Sequence, residues 1–242
     1  METDSRVATI SLALGFVGAA AFAAGPALAQ LEAASAFTAF RIFGVGLLLG
    51  LLALLFGAIG LWRTRPVTGR RGRGPALVGT ALGLLPVAIV AAVVGSAGRA
   101  PAINDITTNP DDPPRFRAAQ TDDANTGRDL SYPGEAFARA QRSGYPDLAP
   151  IRVAGAPDEV YRRCLTVAQD LGWKLTVEDP ATGVFEAIDV TSIFRFVDDI
   201  AVRVRAAGDG TVVDVRSKSR DGKGDLGANA TRIRAFRDAI RR

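Results

Sequence analysis

Three stretches of the chain, Val7–Leu28, Ile42–Trp62 and Ala76–Ala97, hold no charged side chain. The hydrocarbon core of a bilayer is about 30 Å thick and takes roughly 20 apolar residues of helix to cross. Each stretch meets that length, and none carries an internal ion that lipid would penalise. Because all three precede a polar remainder, they predict transmembrane helices in a 1–98 anchor in preference to buried core helices. Gly46-x-x-x-Gly50 and Gly79-x-x-x-Gly83 set small residues on one helix face, where backbones approach closely. Pro86 removes one hydrogen bond from the third span and predicts a kink there. With no Asp, Glu, Lys, Arg or His inside a span, the pattern favours an anchor over an ion pathway.

Residues 99–150 show no clear helical or alternating period until near their end. Pro101–Pro150 contains seven of the thirteen prolines, including Asp111-Asp-Pro-Pro114. Proline fixes its own φ and restricts the residue before it, so the segment predicts an extended linker or a wrap over the following domain. Phe116, Tyr132, Phe137 and Tyr145 are the side chains with which such a wrap would dock.

From Ile151 regular periods return. Pro157-Asp-Glu-Val160 opens a helix, since proline suits the first turn and acids suit the positive end of the macrodipole. Val160, Cys164, Val167, Ala168 and Leu171 share one face, and Gly172 supplies the left-handed stop. Trp173, Leu175 and Val177 alternate as a strand, followed by a turn at Pro180–Gly183 and a second strand over Val184–Val190. Ile200–Arg205 and Thr211–Ser217 predict a third and fourth strand across Gly208-Asp-Gly210. A last helix from about Ala228 to Arg241 buries Ile233, Phe236 and Ile240. The expected fold is a membrane-anchored α+β chain: three transmembrane helices, then over 151–242 a helix, a four-stranded antiparallel meander and a C-terminal helix.

Charge adds an orientation. Residues 1–100 carry eight basic and three acidic side chains, whereas residues 101–242 carry 21 and 22. The basic excess is concentrated in Arg63-Thr-Arg65-Pro-Val-Thr-Gly-Arg70-Arg71-Gly-Arg73, between the second and third spans. Short arginine-rich loops stay cytoplasmic. The expectation is a bacterial inner-membrane protein with Met1 inside and the C-terminal domain periplasmic. Ala27-Leu-Ala29 before Gln30 matches a signal-peptidase site, while the mixed-charge start and the length of the run read as a retained helix. Either way the C-terminal domain lies outside. The Arg63–Arg73 loop also suits anionic membrane lipids, and its shortness leaves little surface for nucleic acid.

Candidate chemistry is sparse. There is no histidine, which removes the commonest general base and metal ligand, and no cofactor or metal is implied. Cys164 is alone on an apolar helix face, so it reads as core. What remains is Phe196-Val-Asp198-Asp199 followed by Asp214-Val-Arg216-Ser-Lys-Ser219-Arg220-Asp221-Gly222-Lys-Gly224-Asp225-Leu-Gly227-Ala-Asn229-Ala-Thr-Arg232-Ile. This is strand, glycine-rich loop and helix, but neither a Walker loop nor a dinucleotide fingerprint. Two readings stay open. In one, Asp198 and Asp199 pair with Arg216 or Arg220 across strands, and Asp225 or Asn229 caps the last helix. In the other, Arg216, Arg220 and Arg232 grip an anion near the helix start, although Asp221 and Asp225 would repel it. Asp198 and Asp199 are adjacent, so on a regular strand they face opposite ways and make a poor acid–base pair.

The same residues carry a resemblance. The Asp-Asp strand together with Asp214-Val-Arg-Ser-x-Ser-Arg-x-Gly-x-x-Asp-Leu-Gly-x-Asn-x-x-Arg-Ile resembles the DUF1499 family of bacterial and plastid proteins. The resemblance extends over about Pro101–Arg242 and includes Thr107-Thr-Asn-Pro110. The family is one of unknown function, so the resemblance implies a domain and no catalytic residue. The function expected from all of this is a non-enzymatic binding or scaffold domain of the cell envelope, meeting an envelope protein or an anionic small molecule. The alternative is a hydrolase or transferase using Asp198, Asp199, Asp221 and Asp225 with Arg216 and Arg220.

Overall fold

The structure is a computed structural model, and it describes residues 4–96, 100–208 and 210–242. The expected placement of Met1, the end of the third apolar stretch at Ala97 and the middle of the Gly208–Gly210 turn lie outside the described residues. The chain divides into two compact units, residues 1–98 with 192–195, and residues 99–191 with 196–242.

The first unit is built on α1 (Arg6–Gln30), α2 (Ala36–Arg63) and α3 (Arg73–Ser96). All three are long and apolar enough to cross a membrane. Ser5 and Ser35 cap α1 and α2 by accepting from the Ala8 and Thr38 amides. The residues turned inward on α1 are Ala8, Ser11, Gly15, Gly18, Gly25 and Ala29, and those on α2 are Ala39, Gly46, Gly50, Ala53, Gly57 and Gly60. The large apolar side chains Phe16, Leu48, Leu55 and Leu85 face out. A bundle sorted in water would do the reverse. Helices solvated by lipid gain nothing from hiding leucine and instead bring backbones together through small residues. The contacts are close: a Cβ on Gly79 would lie 2.3 Å from Ser11 Oγ, and one on Gly83 would lie 2.5 Å from the Gly50 carbonyl oxygen. Helix α3 continues through Pro86.

The second unit is an antiparallel sheet with its two longest helices packed on one face, an α+β arrangement. Its elements are β1 (Asp105–Thr107), α4 (Ala118–Thr121), α5 (Glu135–Gly144), β2 (Ile151–Val153), α6 (Pro157–Asp170), β3 (Lys174–Asp179), β4 (Val184–Val190), β5 (Val197–Ala207), β6 (Gly210–Ser219) and α7 (Ala228–Ile240). The meander β3-β4-β5-β6 runs as the sequence predicts. Two three-residue strands extend it beyond the four expected: β1 and β2 lie along the outer edge of β6, at Arg216–Lys218 and Thr211–Val213. Both come from the segment without a clear period and the residues just after it. Gln141 on α5 seals the free edge of β1, accepting from the Thr107 amide at 2.9 Å and donating to its carbonyl at 2.6 Å.

The alternation of β5 and β6 separates two environments. One face carries Ile200, Val202, Val204, Val213 and Val215, and packs with Val160, Cys164 and Ala168 of α6 and Ile233, Phe236 and Ile240 of α7. Trp173 stacks on Phe236 at 5.0 Å. The expected alternation of β3 fails after Leu175, where a bulge shifts the register and leaves Val177 exposed. The other face is ionic. Across its strands lie Asp105, Lys218 and Asp199 in one row, and Thr107, Arg216, Ala201 and Glu186 in the next. Asp105, Glu186, Asp199, Asp214 and Arg216 are all buried there. Water is kept from them by the proline-rich segment, whose Phe116, Ala119 and Leu130 pack on Ala201.

Candidate functional site

The two-residue period of β5 sends Asp198 and Asp199 to opposite faces, and each finds a different arginine. Asp198 points to α7, where Arg232 Nη2 donates to its carboxylate at 2.6 Å. Arg232 spends its other nitrogens nearby: Nε on Asp189 at 2.6 Å, and Nη1 on Ser217 Oγ at 2.9 Å and Asn229 Oδ1 at 2.7 Å. Asn229 also donates to Ser219 Oγ at 2.9 Å. Asp225 accepts from the Gly227 and Asn229 amides, both at 2.8 Å, and so satisfies the start of α7. Gly227 makes that turn at φ +87°. Burial pushes the Asp198 carboxyl above its ordinary value, against the opposing pull of Arg232 and Ser219.

On the wrapped face, Asp199 takes both ends of Arg220, at 2.7 and 3.0 Å, and accepts from Asn125 Nδ2 at 3.1 Å. Arg220 reaches on to Asp122 at 2.8 Å. Asp221 pairs with Arg128 at 3.0 Å. Arg216 lies opposite Ala201 in the β5–β6 register, not opposite either aspartate. Its partner is Asp105 on β1, held bidentately at 2.7 and 2.8 Å, with Lys218 adding a contact at 3.1 Å. Arg216 also donates to the Pro114 and Leu130 carbonyls and lies over the rings of Phe116 and Tyr132 at 4.6 and 5.5 Å. The expected cross-strand pairing therefore forms for Asp199 with Arg220. Asp198 is claimed instead by Arg232, and Arg216 by the proline-rich segment.

Above Arg216 a cavity of about 680 Å³ opens, lined by Asp111, Asp112, Pro113, Arg115, Phe116, Arg117, Gln120, Leu130, Ser131 and Tyr132. Small-molecule sites commonly measure about 300–1,000 Å³. Its acids are engaged: Asp111 pairs with Arg142 at 2.5 Å and Asp112 with Arg203 at 2.9 Å. Arg117 makes only a loose exposed contact with Asp179 at 3.7 Å. Arg115 has no acidic partner among the described residues and is exposed at the cavity wall. Burial pushes the Tyr132 phenol up to about 12, so it stays a neutral donor.

The model for "Protein of unknown function (DUF1499)" matches residues 105–240. The chain belongs to the DUF1499 family. A search of curated proteins returns no match. The matched span begins at Asp105, the partner of Arg216, and ends at Ile240 in the core. β1 and the wrap thus lie inside the DUF1499 domain, together with β5, β6 and α7.

Sequence reasoning did not find several residues on which the DUF1499 site depends. Asp105 is separated from Arg216 by 111 positions and sits on a strand too short to show alternation. Glu186 is buried and accepts the amides of Arg117, Ala118 and Ala119 at 2.5, 3.0 and 2.9 Å, pinning the wrap. Asp214 is buried between Arg203 and Arg205, at 2.8 and 2.6 Å. The available signal was the alternation Asp214-Val-Arg216-Ser-Lys218, an ionic stripe opposite an apolar one, which usually denotes a solvated face. Chemically, every carboxylate of the motif is already engaged by an arginine or by backbone amides. Among the described residues that line the cavity above Arg216, the cation with no acidic partner is Arg115.

Proposed function

We propose that this chain is a membrane-tethered binding module of the bacterial envelope, with its DUF1499 domain on the extracytoplasmic side and its ligand held in the cavity above Arg216. The carrying observation is the contrast between that cavity, with uncompensated Arg115 on an aromatic wall, and a motif whose charges satisfy one another. A ligand here meets a cation, the ring of Tyr132 and the side chains of Gln120 and Ser131, which suits an anionic envelope compound. Engagement of Asp198, Asp199, Asp221 and Asp225 favours binding over acid–base turnover, because a working acid or base must be free to exchange its proton.

The test uses the full chain in uncharged detergent, with muropeptides and phosphorylated sugars as probes. A ligand at about one hundred times its Kd adds roughly 2.7 kcal/mol to stability. At least one anionic probe should raise the unfolding midpoint of the wild type and leave Arg115→Ala/Arg117→Ala unmoved. Equal shifts in both proteins, or turnover of a probe, would overturn the reading.

Orientation has its own test. Cys164 is fully buried and burial raises its thiol to about 12, so it is a silent background for labelling. A small membrane-impermeant maleimide applied to intact cells should label Lys223→Cys in the sheet domain. Val67→Cys in the arginine-rich loop should label only after lysis. The reverse pattern would refute the proposed topology.

A further inference from the structure

Where α2 ends, the chain forms a second site of a different kind. Trp62, Arg63, Arg65, Thr68 and Arg70 line a cavity of about 580 Å³ that contains no acidic side chain. Among the described residues, Arg63, Arg65 and Arg70 have no ion-pair partner, and all three are exposed. The loop is shaped by its own bonds. Thr68 Oγ1 donates to the Arg63 and Arg65 carbonyls at 2.9 and 2.7 Å, and Thr64 Oγ1 donates to the Gly60 carbonyl at 2.8 Å. Arg65 Nε donates to the Trp62 carbonyl at 3.0 Å, and its guanidinium lies 5.1 Å from the indole centroid. Those bonds engage the Gly60, Trp62 and Arg63 carbonyls at the end of α2 and leave the outer guanidinium nitrogens without an acceptor among the described residues. Gly69 closes the turn at φ +62°.

The site sits at the end of a helix long and apolar enough to cross a membrane. Tryptophan at such an end is the side chain that marks the headgroup level. Three unpaired cations gathered at that level, with no acid to neutralise them, are complementary to phosphate attached to a lipid. We propose that the Trp62–Arg70 cavity binds the phosphate of an anionic membrane lipid, with Arg63, Arg65 and Arg70 as its ligands and Trp62 beside the glycerol. This rests on the helices being membrane spans and is independent of the cavity in the DUF1499 domain.

The test is lipid retention by the full chain in uncharged detergent, titrated with phosphatidylglycerol and read by native mass spectrometry. Phosphatidylcholine, inorganic phosphate and a short DNA duplex are the comparison probes. Phosphatidylglycerol should bind in preference to all three, and more weakly as salt rises. The triple variant Arg63→Gln/Arg65→Gln/Arg70→Gln should weaken binding on the order of a hundredfold, roughly fivefold per charge. Its lysine counterpart should retain most of the affinity, and Arg41→Gln should retain all of it. Wild-type retention by the glutamine triple would overturn the proposal. So would equal affinity for phosphatidylcholine or free phosphate, or tighter binding of the duplex.

Discussion

Arg232→Ala is expected to destabilise the sheet domain by about 3–5 kcal/mol, the cost of stranding a buried charge when its partner is removed. Arg232 serves four acceptors, Asp189, Asp198, Ser217 and Asn229, and its side chain is 8% exposed. Among the described residues, alanine leaves buried Asp198 with Ser219 as its remaining side-chain partner. Lysine would not restore the site, because one ammonium cannot reproduce the planar fork that reaches Asp189 and Asp198 together. The expected drop in midpoint is on the order of 10 °C. It is measured on the full chain with Trp62→Phe, so that emission reports Trp173, which stacks on Phe236 in the domain core.

The same variant makes a pH prediction of definite sign. Asp198 is already raised above the ordinary carboxyl value by burial. Loss of Arg232 raises it further, so folding takes up a proton between the unfolded and the folded values. The unfolded state is common to both proteins, so the deficit of the variant relative to wild type grows as pH rises from the folded wild-type value of Asp198 to the higher value in the variant, and the carboxylate's share of it vanishes below the folded wild-type value. Asp198→Asn in the Arg232→Ala background should remove the pH dependence. A deficit that stays constant with pH would show that the lost stability comes from Asn229 and Ser217 and not from the carboxylate.

The legibility of this fold divides along physical lines. The three long apolar helices were readable because a span leaves a signal of length and uncharged composition, and Gly79 and Gly83 occupy close approaches that their spacing implied. The meander and α7 were readable because one face of β5 and β6 is continuously apolar and meets Ile233, Phe236 and Ile240. β1 was not, because three residues cannot show a period; its place is fixed by backbone pairing to β6 and by Gln141. The opposite facing of Asp198 and Asp199 follows from strand geometry alone. Their partners depend on register and on α7, and neither is written locally. The prolines of residues 99–150 predict an extended linker or a wrap, and the segment folds as β1, α4 and α5 joined by irregular chain. Its role as the cover of an ionic sheet face required knowing that Glu186 would hold its amides and Arg216 its carbonyls.

That role gives the other large expectation. Arg216→Ala should also cost about 3–5 kcal/mol, but through a different failure. Asp105 would keep Lys218 at 3.1 Å, so its charge is not fully stranded. The Pro114 and Leu130 carbonyls would lose their donor, and Phe116 and Tyr132 would close on a void where the guanidinium had been. The wrap should loosen before the sheet does. Limited proteolysis should therefore cut within residues 109–132 of the variant under conditions that leave the wild type whole, while Trp173 emission still reports a folded core. A double replacement separates charge from packing. Asp105→Leu/Arg216→Met removes both ions and refills part of the volume, so it should be less destabilising than the sum of its single changes. If instead the effects add and the wrap stays protected, the pair does not hold the cover, and the cavity above it must be shaped by Glu186 and its three amides.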